Sequence, residues 1–134
     1  MIQRYAVAVA CMFAAAPAAT AQDSTGTRTT MDGVYTDEQA TRGEQMFDLT
    51  CANCHATNFF TGSFMRPWTG MDVHLLYDLI RTTMPEDNPG GLPGQTYADV
   101  LAYIFQLNRM PPGDRELAPE RETLEAITIR RRRR

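Results

Sequence analysis

Two cysteines two residues apart, with a histidine directly behind the second, stand in mid-chain as Cys51-Ala52-Asn53-Cys54-His55. This spacing restricts the possible folds more than any other feature, because it is the attachment pattern of c-type haem. Each sulfur can add to one vinyl group of the ring. The next residue then falls beneath the iron, where its imidazole binds from one side. Cys51 and Cys54 are therefore expected to carry one covalent haem c, with His55 as an axial ligand. A small chain so built arranges its core around a flat apolar ring.

Other readings of the three residues have less behind them. A thioredoxin-like dithiol follows a strand and opens a helix, whereas this pair follows a helical pattern with no strand alternation nearby. A structural zinc site needs four ligands, and beyond these three only His74 or a carboxylate is left.

At 134 residues the chain has room for one small domain. Its first 21 residues read as a secretory signal peptide, with Arg4 at the start, an apolar run from Tyr5 to Ala16 and Ala19-Thr20-Ala21 as the cleavage pattern. Export to the periplasm is expected, and Cys51 and Cys54 are then the only cysteines left. Exported domains of this size usually need a staple, and a covalent haem is one. Between Gln22 and Ile129 seven arginines face sixteen acidic residues, nine negative charges in excess, and the whole chain lacks lysine. Arg130 to Arg134 then reverse the sign.

Residues 22–35 read as a flexible leader, rich in Thr, Ser, Asp and Gly. Residues 36–113 form the expected domain. A first helix starts at Thr36, where Thr36-Asp37-Glu38-Gln39 fits a capping box, and it runs to about Thr50. Ala40, Gly43 and Phe47 share one face, with Gly43 marking the close approach of another helix. The loop 58–70 carries Phe59, Phe60, Phe64, Pro67 and Trp68, an aromatic wall suited to something large and apolar.

A second helix starts at Thr69 or Asp72 with a stripe of Val73, Leu76, Tyr77 and Ile80, broadened by Leu75 and Leu79, and stops at Met84-Pro85. His74, beside Asp78 and Arg81, reads as a solvated surface histidine. A third helix starts at Thr96, with Asp99 closing a second capping box, and buries Tyr97, Val100, Leu101, Ile104 and Leu107. Residues 114–134 form a polar C-terminal extension, which Leu117, Leu124, Ile127 and Ile129 can dock on the body. The expected fold class is all-α, three main helices around one covalent haem.

A thioether as second axial ligand raises a haem's potential. Met84 fits best, since it lies where the second helix is forced to stop and Pro85 keeps it extended. Met110, also before a proline, and Met65 remain rivals, while Met46 and Met71 suit core filling. The arginine run reads first as a solvated end. Contact with anionic lipid is its less favoured use, and nucleic acid is excluded for an exported chain.

Taken together, Phe47 before the cysteine motif, then Met84-Pro85, then Asp99-Val100-Leu101-Ala102-Tyr103-Ile104 resemble a class I cytochrome c from about Tyr35 to Gly113. Phe64 and Trp68, Arg81-Thr82-Thr83-Met84-Pro85, Pro89-Gly90 and Ala102-Tyr103 are similar to small cytochromes related to the haem domains of quinoprotein dehydrogenases. The resemblance implies a cytochrome c fold in which Gly43 and Phe47 lie against Val100 and Tyr103, with His55 and Met84 as iron ligands. It also implies that the Pro67 carbonyl holds the His55 N–H; Trp68 reads first as core, a reading that converges with a haem contact once a haem is present. The stretch from Ala56 to Pro67 departs from the family in lacking its glycine-proline element.

The function implied is that of a single-electron carrier rather than an enzyme. A periplasmic dehydrogenase would donate electrons, and an oxidase or another cytochrome would accept them. The alternatives are a haem subunit fixed in a dehydrogenase complex, and a haem sensor or peroxidase with an open iron position.

Overall fold

A computed structural model describes residues 27–132. The signal peptide at 1–21, the leader up to residue 26, and Arg133 and Arg134 lie outside the described residues. Among the described residues there are four α-helices: α1 (Asp37–Met46), α2 (Val73–Thr83), α3 (Gly94–Leu107) and α4 (Arg121–Glu125). Two short strands, β1 (Arg28–Thr29) and β2 (Ile127–Thr128), pair in parallel with Arg28 opposite Ile127.

Thr36 caps α1 by accepting from the Gln39 N–H at 3.1 Å. The expected capping box is only half made, because the Gln39 amide turns into the core. Its nitrogen donates to Asp99 Oδ1 (3.1 Å) and the Leu117 carbonyl (2.9 Å), and its oxygen accepts from the Leu117 N–H (2.7 Å). A buried amide with these partners satisfied ties α1, α3 and the C-terminal segment at one point.

Gly43 is the close approach that its position announces. A Cβ there would run into the backbone of Asp99 at the facing turn of α3. One turn on, the Phe47 ring meets Tyr103 at 5.6 Å and the edge of Phe60 at 5.4 Å. The first and third helices thus pack at Gly43 and Phe47 against Asp99, Val100 and Tyr103.

The second helix begins where Asp72 accepts the Leu75 N–H at 3.1 Å, the later of the two expected starts. Val73, Leu76 and Tyr77 are buried, but Leu75 is half exposed instead of broadening the stripe, and Leu79 stands on a cavity wall with Ile80 and Thr83. The third helix starts two residues before Thr96, with Pro93 at its cap position. Asp99 closes no capping box. Its carboxylate takes Arg42 through two nitrogens, at 3.1 and 3.2 Å, and Gln95 at 3.0 Å.

Both ends of the described chain are packed. The expected flexible leader is, from Arg28 onward, strand and ordered turn. Val34 and Tyr35 are buried, and the Tyr35 hydroxyl donates to the Met110 carbonyl at 2.6 Å. Gly33, at φ 65°, meets the Gly113 backbone too closely for any side chain. In the extension Leu117, Leu124, Ile127 and Ile129 are all buried, as their apolar character suggests. His74 is 9% exposed rather than solvated, because α4 packs back on α2 and covers it.

Candidate functional site

The end of α1 does not fray into a loop. The chain widens into a π-helical turn, Phe47–Cys51, a form that favours functional positions. The Cys51 carbonyl then accepts from the N–H groups of Cys54 (3.1 Å) and His55 (2.9 Å), so the motif is one tight turn on the helix end. A 3-10 turn, Thr57–Phe60, follows at once and brings aromatic rings to the imidazole. Phe59 stacks on His55 with centroids 5.5 Å apart, and Phe60 meets it edge-on at 5.4 Å.

Met84 comes from a different part of the chain. It caps α2 in an extended conformation, φ −127° and ψ 149°, as expected for a residue before proline. Its backbone is held on both sides. The N–H donates to the Ile80 carbonyl at 2.9 Å, and the carbonyl accepts from the Tyr97 hydroxyl at 2.8 Å.

These segments enclose one cavity of about 640 Å³, lined by Cys51, Cys54, His55 and Met84 together with Phe47, Phe59, Phe60 and Phe64. Ile80, Leu92, Val100 and Ile104 close it from α2, the following loop and α3. Cofactor sites run from about 300 to 1,000 Å³ and are mainly apolar with few placed polar groups. The cavity therefore has the size and lining for a large flat apolar group, with two thiols, an imidazole and a thioether on its wall. Glu86 and Asp87 add negative charge along it.

Cys51 lies at the C-terminal end of its turn, where helix carbonyls rather than N–H groups collect, and burial pushes its thiol up. Reactive dithiols need the opposite, a thiolate stabilised by a helix N-terminus or a cation. Among the described residues no three His, Cys, Asp or Glu side chains gather as they would around a metal ion. The dithiol and zinc readings thus gain nothing from the geometry.

The remaining expected site residues fall elsewhere. Pro67 is exposed in the turns after Phe64, and among the described residues no hydrogen bond joins it to His55. Trp68 is half-buried against the main core and does not line the cavity. Both are displaced for the same reason: the 3-10 turn spends the aromatic residues beside the imidazole early, and the chain has left the cavity before Pro67. Met65 and Met110 are buried in the core, away from the cavity wall. Tyr97 is the residue that sequence reasoning undervalued. Its helical position marks it as core, but only the fold shows its hydroxyl on the Met84 carbonyl.

Comparison with protein-family models, with curated proteins and with solved structures finds no match. The chemistry of the site is read from this chain's own residues.

Proposed function

We propose that the chain is a mono-haem c-type cytochrome of the class I kind, an exported single-electron carrier. One observation carries this reading: Cys51, Cys54, His55 and Met84 converge from separate segments on one apolar cavity of cofactor size. In this reading Cys51 and Cys54 would carry the thioether links, and His55 and Met84 would bind the iron. A haem c held there supplies reversible exchange of one electron at iron. Phe60 and Phe64 would keep water from the His55 side, which would favour the less charged reduced form and raise the potential. Tyr97 keeps Met84 where its sulfur remains a ligand. With both His55 and Met84 bound to it, the iron would offer no site to a substrate, which supports a carrier rather than an enzyme.

Its partners are redox proteins, a dehydrogenase as donor and an oxidase or cytochrome as acceptor. The exposed Glu86 and Asp87 beside the cavity and the acidic body favour a partner with a basic docking face.

The test is the mature protein from cells competent in cytochrome maturation. Its mass is expected to exceed the polypeptide by one haem, with a reduced-minus-oxidised spectrum of the c type and a Met–iron charge-transfer band. Met84→Ala is expected to abolish that band and lower the potential, while Met110→Ala and Met65→Ala leave it. A colourless product of bare polypeptide mass refutes the reading. Rapid carbon monoxide binding by the native reduced protein replaces the carrier with a sensor or peroxidase.

A further inference from the structure

Five arginines stand in a row from Arg130 to Arg134, and those among the described residues, Arg130, Arg131 and Arg132, do not line the cavity. The fold gives this run a fixed origin. Ile129 is buried; its N–H donates to the Met71 carbonyl at 2.8 Å, and its own carbonyl accepts from the Gly70 N–H at 2.9 Å. The Arg130 N–H donates to Thr30 Oγ1, and the same hydroxyl donates to the Arg130 carbonyl, both at 2.9 Å. Arg130, Arg131 and Arg132 are exposed. Arg130 therefore stands at a defined point beside Met71, with Arg131 and Arg132 exposed next to it.

That point adjoins unburied apolar surface. Met71 is 43% exposed, and Leu75, in the first turn of α2 just after it, is 48% exposed. Basic and apolar groups side by side are the two signals that together give stable attachment to a membrane surface.

We propose that this face docks the protein on an anionic lipid bilayer, with the arginines on headgroup phosphates and Met71 and Leu75 in the headgroup–acyl boundary. Guanidinium groups pair two N–H bonds with phosphate oxygens. A row of identical side chains carries no pattern for one defined protein surface, whereas a lipid surface offers phosphates at every position. The nine excess negative charges between Gln22 and Ile129 repel the same surface, so the contact also orients the molecule, tail toward lipid. This inference does not depend on the electron-carrier reading.

The test is co-sedimentation of the full mature protein with vesicles of equal parts phosphatidylglycerol and phosphatidylcholine, against vesicles of phosphatidylcholine alone. Binding is expected only to the anionic vesicles and is expected to weaken with added salt. Replacing Arg131, Arg132, Arg133 and Arg134 by serine spares the backbone pairing of Arg130 with Thr30, and is expected to lower the partition coefficient about tenfold or more. Met71→Ser with Leu75→Ser, neither residue lining the cavity, is expected to lower it about threefold or more. Circular dichroism and the melting midpoint verify that each variant is folded. Equal binding to both vesicle types, or no loss with the serine tail, overturns the proposal. So does a tail that is needed for co-elution with an acidic protein but not for vesicle binding.

Discussion

The N–H of Met84 is tied to the last turn of α2 and its carbonyl to the Tyr97 hydroxyl, so the residue is positioned through its backbone. Tyr97→Phe removes a bond of about 1 kcal/mol and keeps the ring. On the proposed ligation, this variant is expected to keep its haem but to bind carbon monoxide faster in the reduced state, as stopped-flow mixing would measure. Tyr35 provides a pH signature. Burial, and then the charge of Asp37, push its phenol up to about 12 from an ordinary value of 10.0. Because the folded value lies above the unfolded one, the stabilisation is complete below about pH 10 and is lost as pH rises toward 12. Denaturant titrations at stepped pH are expected to show a fall of about 2–3 kcal/mol across that window. Tyr35→Phe should flatten this fall. Legibility among single residues was uneven for a physical reason. Cys51, Cys54, His55 and Met84 announce themselves by local spacing and by a following proline, whereas Pro67, Trp68 and His74 depend on where distant segments lie. His74 looked solvated because the sequence of α2 does not reveal that α4, more than forty residues on, covers it.

Helix α1 meets α3 where Gly43 leaves room for the Asp99 carbonyl and Phe47 fills the next turn against Tyr103. Gly43→Ala improves local helix propensity by about 1 kcal/mol, but its Cβ strikes backbone, which cannot rotate aside. The clash is expected to win. A net loss of about 2 kcal/mol or more, read as a melting midpoint lowered by about 10 °C, follows for a domain of this size. An unchanged or raised midpoint would show that the two helices can separate freely. These three helices were legible because their apolar residues recur at helical spacing and because Thr36, Asp72 and Pro85 mark boundaries. The start of α3 was misplaced because Thr96 and Asp99 have the spacing of a capping box, while the Asp99 carboxylate is engaged by Arg42 and Gln95. Strands of two residues carry no alternation to detect, so the β1–β2 pair had no readable signal.

Over the whole molecule, negative charge dominates the body, and Glu86 and Asp87 place some of it beside the cavity. Association with a basic redox partner is therefore expected to be fast at low salt and to slow about tenfold or more as the screening length contracts from about 30 to 8 Å. Glu86→Gln with Asp87→Asn should weaken this salt dependence while leaving the spectrum unchanged; equal slopes for the parent and the variant would place docking elsewhere. The pairing of Arg28 with Ile127 reaches across nearly the full described sequence. A nascent chain cannot make that pairing before Ile127 has been synthesised, nor can Thr30 bond to Arg130 before that residue exists. The two thiols therefore lie within a stretch of chain that this pairing cannot close until Ile127 has met Arg28. Joining these two strands belongs to the late steps by which such a fold is completed.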